Sequence, residues 1–105
     1  MRCDACDKRT CRDGSPCVEK PMPEAYTDEW VKRTMRVASE IEAEFYGVKN
    51  RLEEIMEFAR RMGYRKLGLA YCVGLAEEAR IVGDILSRRF ELEAVCCKLG
   101  GFLKR

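Results

Sequence analysis

The most informative absence in this sequence is histidine, of which the 105 residues contain none. Histidine is the usual general base near neutral pH, so its absence excludes Ser-His-Asp and Cys-His catalytic units and every imidazole metal site. An excess of one charge is lacking too, because 20 basic residues stand against 18 acidic ones, for a formal net charge of +2. This balance argues against nucleic acid or an anionic membrane as a partner.

Long apolar runs are also missing. No stretch approaches the ~20 residues that a membrane-spanning helix needs, and no basic-then-apolar leader opens the chain. We therefore expect a cytoplasmic protein with no membrane partner. Thiols stay reduced in that compartment, so seven cysteines in closely spaced groups suggest metal ligands before disulfides.

Residues 1–26 differ in composition from the rest, since they hold four cysteines and all three prolines but few large aliphatic side chains. Such a segment cannot offset its ordering entropy by burial, so any fixed shape needs another source. We predict two parts: a cysteine-rich metal-binding segment over residues 1–26, then a helical pair and a βαβ unit over residues 27–105.

Four cysteines in the first part have the spacing of a metal site: Cys3, Cys6, Cys11 and Cys17. Four thiolates this close in sequence can converge on one tetrahedral ion, and a closed four-thiolate site is structural because it leaves no open position for catalysis. Zinc is the predicted metal ion. An iron–sulfur cluster is the alternative, because thiolates suit both, and a metal-free, cysteine-bearing terminus is the other interpretation.

Two amphipathic helices are predicted next. Thr27 is the expected N-cap of the first helix, whose apolar residues recur at helical spacing: Trp30, Thr34, Val37, Ala38, Ile41 and Phe45. Asn50 and Glu53 have the spacing of a capping box that opens the second helix, and Gly63 is its expected C-terminal stop. Its apolar stripe is Leu52, Ile55, Met56, Ala59 and Met62.

A strand–helix–strand pattern completes the chain. LGLAYCV is continuously apolar, which is typical of a parallel strand buried on both faces; a helix with Leu75, Ala79, Val82 and Leu86 on one side and the short strand ELEAVCC follow it. The predicted fold class is α/β, with a βαβ unit of a parallel, Rossmann-like sheet. Two strands leave both sheet edges open, so the fold is incomplete as a monomer: either the chain is a shortened version of a larger protein or a homodimer completes the sheet.

A second thiol site is predicted from Cys72, Cys96 and Cys97, which lie at the C-terminal ends of the two strands. Open α/β sheets bind ligands at such ends. Because side chains alternate between faces, only one of Cys96 and Cys97 shares a face with Cys72. No side chain caps the helix that follows Cys72, so its free backbone donors would lower the pKa of a nearby thiol. The alternative is that these cysteines are small packing residues.

Three motifs in order resemble a predicted metal-binding family of unknown function, the domain of unknown function number eighteen forty-seven. They are the four-cysteine opening, the stretch from Tyr71 to Ala79 (YCVGLAEEA) and the stretch from Cys96 to Gly101 (CCKLGG). The resemblance implies an N-terminal metal site on Cys3, Cys6, Cys11 and Cys17 attached to an α/β domain with a helical lead-in. It also implies chains about twice as long, with further strands and cysteines that this sequence lacks.

The predicted function is that of a metal-binding protein of unknown biochemical role with a structural four-thiolate zinc site. The alternative is a thiol-based redox or iron–sulfur protein that uses the strand-end cysteines. No catalytic residue is predicted, and we expect no catalysis by this chain alone.

Overall fold

The computed structural model describes residues 1–19 and 23–101. Its contacts divide the chain into two units, an N-terminal unit of Met1–Lys32 and a C-terminal unit of Arg33–Arg105. The proposed boundary after residue 26 stays a prediction, and parts of both predicted segments (residues 20–22 and 102–105) lie outside the described residues.

The N-terminal unit contains three short 3₁₀ turns before the first helix: Cys3–Ala5, Thr10–Asp13 and Pro23–Tyr26. The first two turns have no buried residue, and every described residue from 1 to 19 is exposed except the half-buried Cys6. Gly14 has a left-handed φ of 84° and donates its N–H to the Cys11 carbonyl, which ends the second turn. As the composition predicts, apolar burial does not shape this segment.

The first helix, α1, runs from Glu29 to Phe45. Its cap is Asp28 and not the predicted Thr27. The Asp28 carboxylate accepts the N–H groups of Trp30 and Val31 at 2.8 and 3.1 Å, while the Thr27 hydroxyl donates backwards to the Glu24 carbonyl. Both residue types are good caps, and the one directly before the first helical residue takes the position.

The second helix, α2, runs from Arg51 to Met62 and has the predicted ends. The Glu53 N–H donates to the Asn50 side chain at 2.9 Å, and the Asn50 N–H donates to the Glu53 carboxylate at 3.1 Å. This reciprocal pair is the predicted capping box. Gly63 follows with a φ of 78° and closes the helix through bonds to the Ala59 and Arg60 carbonyls, as expected of a glycine in this conformation.

The α1 and α2 faces share a small apolar core in the C-terminal unit. Val37, Ile41 and Met62 are its buried members, and Phe45 and Phe58 pack against it. The predicted stripes were too broad, because Ala38 and Ile55 are exposed. Phe58, which the predicted stripe omitted, also contacts Tyr64 edge to face.

The βαβ unit forms as predicted. Strand β1 spans Lys66–Tyr71, helix α3 spans Ala76–Leu86 after a 3₁₀ turn at Val73–Leu75, and strand β2 spans Glu91–Cys96. The strands are parallel and pair from Lys66 opposite Glu91 to Tyr71 opposite Cys96. Helix α3 packs against both strands, and a Cβ atom on its Gly83 would lie 3.4 Å from Leu92. The protein is therefore a mixed α/β chain with three helices and a two-stranded parallel sheet among its described residues.

The prediction that β1 is buried on both faces is wrong for this unit. Burial alternates along β1: Leu67, Leu69 and Tyr71 are half-buried, whereas the residues between them are exposed. The exposed residues of β1 lie on the face of the sheet opposite α3, which we call the open face. On β2 this face carries Val95, which is 46% exposed, and Glu93, which pairs with Lys66 of β1 at 3.0 Å. Among residues 1–19 and 23–101, only the α3 side of the sheet is covered. A homodimer that completes the sheet stays a prediction.

Within the described part of the chain, no helix combines the length and the apolar character that crossing a membrane requires.

Candidate thiol site at the ends of the parallel strands

The strand-end cluster consists of Cys72, Cys96 and Cys97. β1 ends at Tyr71 and β2 ends at Cys96, and these two residues are the last pair in register. One step further, Cys72 therefore lies opposite Cys97. The Cys97 N–H still donates to the Tyr71 carbonyl at 2.9 Å. This bond keeps the two segments adjacent just beyond the ends of the strands. The parallel register thus brings together two thiols that are 25 positions apart in the sequence.

The pleat of the sheet separates the third thiol from this pair. Cys96 is in register with Tyr71 and, like it, is half-buried on the side that α3 covers. Its sulfur accepts the Lys98 N–H at 3.2 Å. Cys72 and Cys97 are exposed and, by alternation, belong to the open face. Cys97, not Cys96, is thus the partner that the structure gives Cys72.

The Cys97 sulfur is the acceptor of a backbone hydrogen bond from the Val73 N–H, at 3.3 Å. This bond is the largest cause of a lowered Cys97 pKa. Desolvation opposes it, while the Cys72 thiol, the Lys98 charge and the Cys96 thiol add to the lowering. The Val73 N–H stabilises the thiolate because it donates its hydrogen to the sulfur. The sequence predicted free backbone donors after Cys72. In the structure one of them, the Val73 N–H, donates to the cysteine that follows the neighbouring strand.

The strand-end cluster borders a shallow open pocket of about 300 Å³, whose lining includes Ala70 and Val95 besides the cysteines. Four large apolar side chains near it in the sequence are exposed: Val73 by 51%, Leu75 by 54%, Val95 by 46% and Leu99 by 81%. A small apolar group could rest here without displacing a folded side chain. Leu75 was predicted on the apolar side of the third helix, but it lies in the 3₁₀ turn before α3 and is exposed. The apolar run around Cys72 was the visible signal for Val73.

The N-terminal cysteines are not assembled in the same way. Cys3, Cys11 and Cys17 are exposed free thiols, and Cys6 is half-buried. Across residues 1–19 and 23–101, no three or more Cys, Asp or Glu side chains are grouped closely enough to hold a metal ion. The donor set still fits zinc in chemistry, since it offers four soft ligands and no imidazole. The four-cysteine module is therefore not confirmed, and it stays a prediction.

A separate concave region of about 580 Å³ lies between α2 and the segment that precedes β2. Lys49, Arg60, Arg65 and Arg89 line it together with Glu53 and Glu57. Glu57 holds Arg60 at its edge, with an Nε to Oε2 distance of 3.2 Å. Arg61 also donates to the Glu57 carboxylate, at 2.8 Å, so both basic residues near the end of α2 pair with this carboxylate. The i, i+3 and i, i+4 spacing from Glu57 was the sequence signal for this.

Comparison with known proteins gives a family but no activity. The model of a family described as "Protein of unknown function (DUF1847)" matches residues 11–105. An uncharacterized protein of Methanocaldococcus jannaschii is 42% identical over 107 aligned residues, which cover 99% of this chain and 55% of that protein. The chain thus spans about half the length of the curated relative that it matches. No solved structure matches the chain.

Proposed function

Since this chain belongs to the DUF1847 family of proteins of unknown function, we propose a function from its own residues: it is a metal-binding protein. Cys3, Cys6, Cys11 and Cys17 together bind one zinc ion, which has a structural role. The zinc makes up for the apolar core that the first nineteen residues lack.

The observation that carries this proposal is a segment with turns but no core. The backbone already turns at two of the predicted ligands: one 3₁₀ turn begins at Cys3, and another contains Cys11. The Cys6 N–H donates to the Cys3 carbonyl at 3.3 Å, and the Gly14 N–H donates to the Cys11 carbonyl at 3.3 Å. No residue in either turn is buried, so neither turn gains stability from packing. Structural zinc contributes about 10–16 kcal/mol in small finger peptides, which is enough to order such a segment.

Backbone strain in the same loop supports the proposal. Arg9, between Cys6 and Cys11, has a left-handed φ of 49°, the only positive φ of a non-glycine residue in the described parts of the chain. Such a conformation costs about 1–3 kcal/mol and persists only where its surroundings impose it. Arg9 is exposed, and its hydrogen bonds are local: its side chain donates to the Cys6 carbonyl at 3.3 Å, and its carbonyl accepts the Arg12 N–H at 3.0 Å. As the constraint on this conformation we propose a metal crosslink between the flanking cysteines.

The test is metal analysis of the full chain, purified under reducing conditions and titrated with zinc. We expect one zinc per chain, with release of thiol protons on binding, because thiolates are the ligands. Cys3→Ser and Cys17→Ser should each lose the metal. Cys72→Ser removes one thiol from the other cluster and is the matched control, which should keep the metal.

Two results would contradict the proposal. One is a fully reduced chain that binds no zinc at micromolar free metal. The other is zinc that survives Cys3→Ser and Cys17→Ser but is lost in Cys72→Ser, since the ion would then belong to the strand ends.

A thiol-based redox or iron–sulfur protein is the second candidate, and the convergence of Cys72 and Cys97 on one face is the observation that favours it. Colour discriminates the two candidates. A zinc protein has no visible absorption, whereas an iron–sulfur protein is brown and oxygen-sensitive when it is purified anaerobically.

A further inference from the structure

Cys72 and Cys97 have the backbone geometry that a disulfide needs. They follow directly on the last paired residues of two neighbouring parallel strands. Such strands lie about 4.8 Å apart, inside the range of about 4.4–6.8 Å between the Cα atoms of disulfide-bonded cysteines. The Cys97 N–H bond to the Tyr71 carbonyl holds this spacing. A bond between the two sulfurs therefore requires side-chain rotation but no separation of the strands.

The two sulfurs differ in their surroundings, and the difference assigns their roles. The Cys97 sulfur is exposed and accepts the Val73 N–H, a bond that favours the thiolate. The Cys72 thiol accepts no such bond from the described residues and lies opposite Cys97, one step beyond the last pair in register, where it adds to the lowering of the Cys97 pKa. Because the thiolate is the attacking species in thiol–disulfide exchange, Cys97 is placed to attack first and Cys72 to follow.

The surroundings of the pair indicate the kind of substrate. The pocket beside the two thiols includes Ala70 and Val95 in its lining, and exposed Val73, Leu75 and Leu99 lie close to the cysteines in the sequence. No acidic residue lines this pocket among the described part of the chain. A disulfide with apolar substituents would bury surface here.

We propose that Cys72 and Cys97 form a redox-active dithiol that reduces disulfides with apolar substituents. The Cys97 thiolate attacks one sulfur of R–S–S–R′, which forms a Cys97–S–S–R mixed disulfide and releases R′–S⁻. Cys72 loses its proton to solvent and its sulfur attacks the Cys97 sulfur, which releases R–S⁻. Both leaving thiolates take up protons. The substrate gains two electrons and becomes two thiols, and the protein holds a Cys72–Cys97 disulfide, which an external dithiol reduces again.

This activity is independent of the N-terminal zinc, and the experiment reads the two separately. The full chain is reduced, freed of reductant without oxygen, and mixed with dipyridyl disulfide or glutathione disulfide as probes. Remaining thiols are alkylated before tryptic digestion and mass spectrometry. Trypsin places Cys72 in peptide 67–80 and both Cys96 and Cys97 in peptide 90–98. We expect these two peptides to become disulfide-linked.

Three single variants assign the linkage. Cys96→Ser is the matched control, because it removes the neighbouring thiol, which is the smallest of the named causes of the lowered Cys97 pKa, and it should keep the linked peptides. Cys97→Ser should lose them. Cys72→Ser should stop at a mixed disulfide on peptide 90–98, since the second thiol is missing. For each probe, the rate constant with the protein is divided by the rate constant with free N-acetylcysteine. This ratio should be about tenfold higher for dipyridyl disulfide, the apolar probe, than for glutathione disulfide, which corresponds to about 1.4 kcal/mol.

A backbone variant tests the role of Cys97 directly. Val73→Pro removes the N–H that donates to the Cys97 sulfur, and Cys72 already has the extended backbone that precedes proline, with φ −77° and ψ 141°. Cys72, Cys96 and Lys98, the other groups that act on this sulfur, remain. Relative to Val73→Ala, the midpoint pH of Cys97 alkylation should rise.

Several results would overturn the proposal. They are linkage of Cys72 to Cys96, absence of any linked peptide in a wild-type chain whose circular dichroism shows it folded, equal normalised rates for both probes, and an unchanged midpoint in Val73→Pro. The wild-type peptide map needs no variant, so the proposal stays testable if a substitution prevents folding. Loss of zinc binding in Cys3→Ser with retained Cys72–Cys97 linkage would show that the two centres are separate.

Discussion

Glu57 offers the prediction whose magnitude follows most directly from the structure. Its carboxylate accepts the Arg61 Nε–H at 2.8 Å and also pairs with Arg60. Arg61 in turn reaches Glu44 on α1 at 2.9 Å, and its guanidinium lies 5.5 Å from the centre of the Phe45 ring. Glu57 therefore connects the end of α2 to α1 through Arg61, beside the shared apolar core.

The two arginines lower the pKa of Glu57 from 4.5 to about 2, with the Arg60 hydrogen bond as the larger cause and desolvation opposing both. A shift of this size corresponds to at most ~3.4 kcal/mol of stability. Solvent screens the pair, since the Arg60 side chain is 66% exposed, so we expect Glu57→Gln to cost about 1–2 kcal/mol near pH 7.

The pH dependence has a definite sign. The folded-state pKa is the lower one, so the stabilisation is fully present above the unfolded value and is lost as the pH falls from about 4.5 through about 2. Urea denaturation followed by far-ultraviolet circular dichroism should therefore show a wild-type advantage near pH 7 that shrinks towards pH 2.

Glu54→Gln is the matched control for this experiment. Glu54 lies on the same helix and pairs at i, i+3 with Arg51, but that arginine side chain is 83% exposed, so the loss should be only a few tenths of a kcal/mol. Equal losses for both variants, or a Glu57→Gln loss that does not change between pH 7 and pH 2, would refute the reasoning.

Two further predictions concern the helical pair. Asn50→Ala removes the side chain that accepts the Glu53 N–H and should lower the free energy of unfolding by ~1 kcal/mol; urea denaturation checks this, and an unchanged midpoint would show that the cap is not needed. Ile41→Ala empties part of the α1–α2 core, where Ile41 is 2% exposed, and should cost ~2–5 kcal/mol. The exposed Ile55 serves as its control, and an Ile55→Ala loss of the same size would contradict the assigned core.

Local patterns in the sequence predicted local structure well. Asn50 with Glu53 three residues later forms the capping box, and Gly63 ends the same helix, because these signals act within one helical turn. The two strands and the helix between them were also readable, since short apolar runs bounded by glycine and charge differ in length and period from helices. The predicted N-cap of α1, Thr27, was wrong by one residue, because Thr27 and the adjacent Asp28 are both residue types that cap helices well.

Burial was less predictable, because it depends on what packs against an element. The apolar run of β1 is typical of a strand covered on both sides, yet only α3 covers the sheet in the described residues, and alternate side chains of β1 are exposed. Phe58 joins the core and Ile55 does not, although helical spacing alone favoured Ile55.

For the thiols, the sequence by itself determined how many there are, where they lie along the chain and that three of them end parallel strands. It also determined that no imidazole competes with them. Only the tertiary structure decided that Cys97 rather than Cys96 faces Cys72. It also decided that the Val73 N–H, just after β1, donates to the sulfur of Cys97, just after β2. The physical reason is strand register: a shift of one residue exchanges the two faces of a strand, and that register is fixed by pairing between segments far apart in the chain.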